Sequence, residues 1–187
     1  MVKPKPKPKP KRFSRAPVVF TVGHSTRSIE DLLRLFEAHG VRLVVDVRTI
    51  PRSRHNPQFN QDALRAALRR ARIGYRHMKS LGGLRRAVKD SVNMAWRNAS
   101  FRGFADYMQT PQFAAGLEKL VDLARKRPTA VMCAEAVPWR CHRSLIGDAL
   151  LLRGFPVEEL SSLTTTRRHT LTPWARVRGL RITYPAT

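Results

Sequence analysis

The chain has 187 residues, 42% of them hydrophobic, which predicts one globular domain with room for extensions. No apolar run approaches the roughly 18 residues of a membrane span, no signal peptide begins the chain, and two cysteines are too few for the usual disulfide framework, so we expect a cytoplasmic protein with no membrane partner. The 36 basic and 13 acidic residues give a net charge of +23, which favours nucleic acid or a phosphate-bearing small molecule as partner.

Residues 1–16 alternate lysine and proline and are predicted to form a disordered tail. They contain seven basic residues and no acidic one, so the rest of the chain still carries a net charge of +16. Each proline blocks a helix, and the like charges repel one another. The segment is interpreted either as a tether for nucleic acid or as a solvated leader, and the sequence does not decide between them.

Strands and helices alternate along residues 17–160. Short β-branched runs predict strands at 18–22, 43–47, 73–77, 129–133 and 157–160. Helical patterns are predicted from Ser28 to Gly40, at 60–71, at 101–108, from Thr110 through 124, and at 141–153. This order predicts a Rossmann-like, doubly wound α/β domain with a mainly parallel sheet and helices on both faces. Residues 161–187 are expected to be a C-terminal extension of uncertain structure.

The first candidate site segment follows the first predicted strand. Ligands of open parallel sheets bind beyond the carboxyl ends of the strands, which draws attention to Gly23, His24 and Ser25. Gly23 permits a sharp turn, and Ser25 precedes a helix start whose amides favour an anion. His24 is predicted to act as an acid or base, although a core histidine bonded to a neighbouring carbonyl is the alternative.

The second segment follows the second predicted strand. Asp46 ends an apolar run, where a carboxylate needs a partner; Arg48, His24 or a substrate hydroxyl would supply one. Arg48, Arg52 and Arg54 offer planar guanidinium groups suited to phosphate. A solvated basic loop is the alternative interpretation.

The third segment joins two cysteines and a carboxylate. Cys133 ends a predicted strand, Glu135 follows as a candidate base or orienting group, and Cys141 and His142 open a predicted helix together with Arg143. A cysteine nucleophile is one interpretation, because a helix start and a histidine favour a thiolate. A metal site using both thiols, Glu135 and His142 is the second. A purely structural role, with buried cysteines and a Glu135–arginine pair, is the third.

These segments resemble the domain-of-unknown-function 488 family from about residue 18 to residue 160. The matching sequences are Gly23-His24-Ser25, Asp46-Val47-Arg48 with Pro51 and Ser53-Arg54, Leu81-Gly82-Gly83, Phe101 to Met108, and Cys133-Ala134-Glu135 with Pro138 and Cys141-His142-Arg143. The resemblance implies a Rossmann-like domain whose activity is not established. It also implies a glycine turn at Gly82 and Gly83. It further implies polar contributions from Arg102, Asp106 and Tyr107, which spacing alone would assign to ordinary surface.

The sequence therefore predicts an enzyme acting on a phosphate-bearing or nucleic-acid-linked substrate, with no cofactor and no resident metal. The predicted catalytic residues are His24, Asp46, Cys133, Glu135, Cys141 and His142. The predicted anion-binding residues are Gly23, Ser25, Arg48, Arg52, Arg54, Gly82, Gly83, Arg102, Tyr107 and Arg143. Two alternatives stay open: a nucleic-acid-binding module without chemistry, and a metalloprotein using Cys133, Cys141 and His142. The sequence indicates no oligomeric state.

Overall fold

The computed structural model describes residues 16–186, so the predicted basic tail lies outside the described residues except for Ala16. Within them, six strands form one sheet in the order β3-β2-β4-β1-β5-β6. The strands are β1 Val19–Gly23, β2 Leu43–Asp46, β3 Gly74–His77, β4 Thr129–Cys133, β5 Val157–Leu160 and β6 Thr166–Arg168. The first five are mutually parallel, and β6 runs antiparallel to β5. The predicted doubly wound, mainly parallel α/β fold is confirmed.

Five helices cover the two faces of the sheet. They are α1 Ile29–Ala38, α2 Gln61–Arg70, α3 Ala99–Tyr107, α4 Pro111–Lys126 and α5 Arg143–Leu151. Because strand side chains alternate, Val44 packs with the residues of α1 and α2, whereas Val45 packs with those of α3, α4 and α5. No helix within residues 16–186 is long and apolar enough to cross a lipid bilayer.

Local side-chain hydrogen bonds fix where the helices begin. The predicted N-cap of α1 is confirmed, since Ser28 Oγ accepts from the Asp31 amide at 3.0 Å. Asn60 precedes α2 as predicted, but its side chain turns away from the helix and accepts from the Ser53 amide at 2.7 Å. Asn60 therefore shapes the loop after β2 rather than capping α2.

The strand order places a crevice beside β4. The chain leaves β1 through α1 on one face of the sheet, whereas it leaves the adjacent β4 through α5 on the other face. Two connections that diverge from neighbouring strand ends open a gap between them, which is where doubly wound folds bind ligands. The fold therefore positions a site at the carboxyl ends of β1, β2 and β4.

The C-terminal extension is ordered and tied to α5. It contributes β6 and a hairpin of β7 Arg176–Arg178 and β8 Arg181–Thr183. The fully buried Asp148 of α5 accepts hydrogen bonds from Tyr184 Oη at 2.8 Å, His169 Nε2 at 2.8 Å and the Thr172 amide at 3.2 Å. These strands have three residues each and are rich in arginine. They are too short to show the alternation of polar and apolar residues that predicts a strand from sequence.

Replacing Tyr184 by phenylalanine tests this attachment. We expect Tyr184→Phe to lower the free energy of unfolding by about 1–3 kcal/mol, because a buried carboxylate loses one of its donors. Urea denaturation measures the change. Arg176→Gln, an exposed position in the same segment, serves as control and should stay within about 0.5 kcal/mol of wild type. Equal stability of both variants would contradict the attachment.

Candidate functional site

A cavity of about 570 Å³ opens at the carboxyl ends of β1, β2 and β4. The structure brings nine of the predicted site residues together in its wall: His24, Ser25, Arg48, Arg52, Gly83, Cys133, Glu135, Cys141 and His142. The convergence expected at the strand ends is thus present, from segments that are more than a hundred residues apart in the chain.

Asp46 lies below the cavity, where it holds Arg48. The fully buried carboxylate accepts from Arg48 Nε at 2.9 Å and from Arg48 Nη2 at 2.7 Å. Tyr75 Oη donates to the same carboxylate at 2.8 Å. Burial, with the neighbouring carboxylate adding to it, raises the pKa of Tyr75, so its hydroxyl keeps the proton that it donates. Asp46 therefore serves as the partner of Arg48 and does not line the cavity.

His24 supports the same arginine from the other side. Its Nδ1 lies 2.9 Å from the Ser25 carbonyl oxygen, and its Nε2 lies 3.2 Å from Arg48 Nη1. A carbonyl only accepts and a guanidinium only donates, so Nδ1 carries the proton and Nε2 accepts. Burial lowers the pKa of His24, and the charge of Arg48 lowers it further, which keeps the ring neutral. In this arrangement neither ring nitrogen of His24 is available for proton transfer to a ligand.

Cys133, Cys141 and His142 form a compact cluster in the cavity wall. Their two sulfurs and one ring nitrogen all lie within 4.8 Å of one another, and both cysteines are free and buried. His142 Nε2 lies 3.2 Å from the Val47 carbonyl oxygen, and Nδ1 lies 3.7 Å from Cys141 Sγ. Since the Val47 carbonyl can only accept, Nε2 carries a proton, and Nδ1 faces Cys141 Sγ. Such a cluster suits either an activated thiol or a thiolate-binding metal such as zinc.

The two thiols have opposite acidities. A hydrogen bond from Cys141 lowers the pKa of Cys133 well below the ordinary thiol value, assisted by His142 and the Glu135 amide. The same bond, together with burial, raises the pKa of Cys141. Cys133 is therefore the thiolate of the pair at neutral pH, and Cys141 is the thiol that donates to it.

Arg143, which we expected to hold an anion, is fully buried and clamps the loop after β4 instead. Its Nη2 lies 2.9 Å from Glu159 Oε1 on β5 and donates to the Ala136 carbonyl at 2.9 Å. Its Nη1 donates to the Glu135 carbonyl. The predicted anion-binding role of Arg143 is not supported by this placement, because its donors already serve the protein. The helix also begins at Arg143 rather than at Cys141.

Three glycines allow the backbone to pack closely around the site. A methyl group at Gly23 would overlap the carbonyl oxygen of Glu135, and one at Gly83 would overlap the His142 imidazole. A methyl group at Gly82 would meet Thr49 Oγ1. Gly23 and Gly82 therefore shape the walls of the cavity without lining it, whereas Gly83 lines it and seats His142.

Three predicted residues lie away from the cavity wall. Arg54 is exposed on the loop after β2. Arg102 points its Nη1 at Met94 Sδ, 3.8 Å away. Tyr107 donates to the Ser80 carbonyl at 2.7 Å, and the Arg85 guanidinium covers its ring. Their expected contact with a ligand has no support in this arrangement.

Sequence reasoning missed several residues that line the cavity. Arg140 follows the loop after β4, Asn56 lies in the loop after β2, and Ser100 and Phe101 come from the start of α3. Arg140 immediately precedes the predicted site residue Cys141, and this position could have identified it. The contributions of α3 depend on how residues 82–98 return to the sheet, which no local pattern reveals.

Fold and site together define a Rossmann-like α/β protein with a thiol- and arginine-lined cavity at its strand ends. The chain belongs to the family described as Domain of unknown function DUF488, whose sequence model matches residues 28–150. The matched range contains Asp46, Cys133 and Cys141, and it begins after β1. No curated protein and no solved structure matches the chain.

The alkylation rate of Cys133 tests its ionisation. Because the folded-state pKa is lowered, we expect the rate with iodoacetamide to stay nearly constant between about pH 5.5 and 8.5, whereas an ordinary thiol gains about tenfold per pH unit below its pKa. Mass spectrometry of the modified peptide distinguishes Cys133 from Cys141. In Cys141→Ala the supporting hydrogen-bond donor is lost, and the midpoint should move to higher pH. A wild-type rate that climbs steadily to about pH 8.5 would refute the thiolate.

Proposed function

We propose that this protein is an enzyme that uses the Cys133 thiolate as a nucleophile on a phosphate-bearing substrate. The observation that carries the proposal is the position of Cys133 in the cavity wall, with Cys141 and His142 both within 4.8 Å of its sulfur. A buried thiolate supported by a thiol, an imidazole and a backbone amide is a costly arrangement for a residue that only fills space. Nucleophilic catalysis uses such a group directly.

The cavity wall favours an anion. It contains three arginines, Arg48, Arg52 and Arg140, and one acidic residue, Glu135. Arg48 is neutralised by Asp46 and held in one orientation, whereas no ion pair within residues 16–186 involves Arg52 or Arg140. Two uncompensated guanidinium groups beside the thiolate suit the phosphate of a nucleotide or of a nucleic-acid backbone.

The residues of the cluster account for the proton transfers. The Cys133 sulfur forms a bond to an electrophilic carbon or phosphorus atom of the substrate, and the leaving group departs with its bonding electron pair. Cys133 attacks as the preformed thiolate, and His142 donates a proton from Nδ1 to the leaving group and regains one from solvent. Glu135, at the exposed side of the cavity, then removes a proton from water or another acceptor, which attacks the intermediate and restores the thiolate.

A metal-binding role is the second candidate, favoured by the donor set itself. Two cysteine sulfurs and the His142 ring nitrogen would hold a zinc ion, which would supply Lewis-acid chemistry to a ligand in the cavity. The bond from His142 Nε2 to the Val47 carbonyl is the kind of support that metal-bound histidines usually have. The ion would then bind or activate the substrate, and Cys133 would be a ligand rather than a nucleophile.

Substitution of each cysteine, combined with a substrate screen, tests the proposal. We expect thermal-shift screening of nucleotides and phosphate esters to find a stabilising ligand, which at 100 times its dissociation constant adds about 2.7 kcal/mol. Turnover of that ligand should fall by roughly 100-fold or more in Cys133→Ser, since the thiolate supplies the attack, while binding persists. Arg52→Ala should weaken binding instead, because it removes an anion contact.

Arg69→Ala, an exposed arginine of α2 outside the cavity, is the matched control and should change neither binding nor turnover. Elemental analysis of the purified protein accompanies the assay. About one zinc ion per chain would favour the metal-binding role over the nucleophile. Full turnover in both Cys133→Ser and Cys141→Ser would contradict a cysteine nucleophile.

A further inference from the structure

We propose that a single strand of nucleic acid lies in a groove that leads from the cavity past Trp139 toward the C-terminal strands. We call this surface the tryptophan groove and define it by Trp96, Trp139, Arg140, Arg167, Arg168 and Trp174. The proposal rests on the proposed function, because the end of the strand that enters the cavity would present the reacting group to Cys133.

The groove is continuous with the cavity. A neighbouring depression of about 360 Å³ shares Phe101, Glu135 and Arg140 with the cavity wall. It also contains Trp96 and Trp139, and both line a further depression of about 480 Å³. The three spaces therefore form one path from the thiolate across Trp139.

Exposed tryptophans line this path. Trp139 is 61% exposed and Trp174 is 37% exposed, values unusual for the largest apolar side chain. The centroids of the Trp96 and Trp174 rings lie 5.3 Å apart in an edge-to-face arrangement, which holds Trp174 in place. Flat aromatic faces held at the surface are platforms on which bases stack, whatever their sequence.

Positive charge follows the same path. The Arg167 guanidinium lies 4.7 Å from the centroid of the Trp139 ring. Arg140 lines the depression next to the cavity, and Arg168 lines the one beyond it. Among the described residues, the two depressions contain two carboxylates, Glu159 and Glu135. Glu159 is already paired with the buried Arg143, so Glu135 is left to balance the positive charge of the groove arginines. Arginine interleaved with tryptophan is the pattern that binds a phosphate backbone and its bases together.

The cavity selects a single strand over a duplex. Cys133 is only 8% exposed and lies in the wall of the cavity, so a reacting group must be inserted to reach it. Bases in a duplex are stacked and paired, and enzymes reach them only by flipping them out or by acting on single strands. A single strand has no paired partner, so its bases are free to stack on Trp139 and to enter the cavity.

Binding of labelled 12-nucleotide DNA and RNA strands, measured by fluorescence anisotropy with the full chain, tests the groove. We expect Trp139→Ala to weaken binding by about tenfold, because a stacking platform is lost, and Trp139→Phe to restore most of it. Arg167→Gln should weaken binding and lower the slope of log affinity against log salt concentration by about 1 or less. Circular dichroism checks the fold of each variant, and the DNA and RNA arms show which sugar is preferred.

Arg69→Gln on α2 is the control for loss of one surface charge, and the basic residues 1–16 are common to all variants. Affinities of Trp139→Ala and Arg167→Gln within twofold of this control, or tighter binding of the matching duplex than of the single strand, would overturn the groove. Failure of the groove is distinct from failure of the proposed function: Cys133→Ser should bind the strands normally, and wild-type protein should turn over a mononucleotide substrate whether or not the groove binds a strand.

Discussion

The ion pair between Arg143 and Glu159 is the constraint on which the site depends. Both side chains are almost wholly removed from water, and such a pair persists only where further hydrogen bonds complete it. Thr21 of β1 donates to the Glu159 carboxylate, and Arg143 donates to the carbonyls of Glu135 and Ala136. The pair thus joins β1, β5, the start of α5 and the loop after β4. That loop determines where Cys133 meets Cys141.

A second buried pair organises the opposite side of the cavity. Asp46 fixes Arg48, and the neutral His24 completes the arrangement from β1. In the strand order, β2 with Asp46 and β5 with Glu159 lie on opposite sides of β4, which ends at Cys133. In the proposed mechanism, hydrogen bonds from Cys141, His142 and the Glu135 amide stabilise the buried Cys133 thiolate. The same preorganisation explains why several polar residues of the site contact the protein rather than the cavity.

The sequence predicted the fold and the location of the site more reliably than the role of individual residues. Residues 43–45 and 130–133 are continuous apolar runs, and the strand ends are placed by the rule that parallel strands finish at one edge. That rule brought His24, Arg48 and Cys133 together correctly. It does not state which way a side chain points, so Arg143 was expected at a ligand although it serves Glu159, 16 residues away.

Other features had no local signature. Tyr75 supports Asp46 from 29 residues away, and nothing in its own segment marks that contact. The C-terminal strands were missed because their arginine-rich sequences lack alternation, although the Asp148 network orders them. Tertiary packing decides which residues distant in sequence become hydrogen-bond partners. The location of the site at the strand ends was therefore predictable, whereas the partner of each side chain was not.

Release of the Arg143 clamp tests the central claim most directly. Glu159→Gln removes the charge that holds Arg143 while preserving the shape of the side chain, and Glu158→Gln, the neighbour that faces Thr166, is the matched control. Hydrogen exchange followed by mass spectrometry measures the loop at residues 134–140, and alkylation at about pH 6 measures the Cys133 thiolate in the same samples. We predict that Glu159→Gln speeds exchange in the loop by about tenfold or more and alters the alkylation rate, whereas Glu158→Gln matches wild type. Wild-type exchange and alkylation in Glu159→Gln would contradict the account.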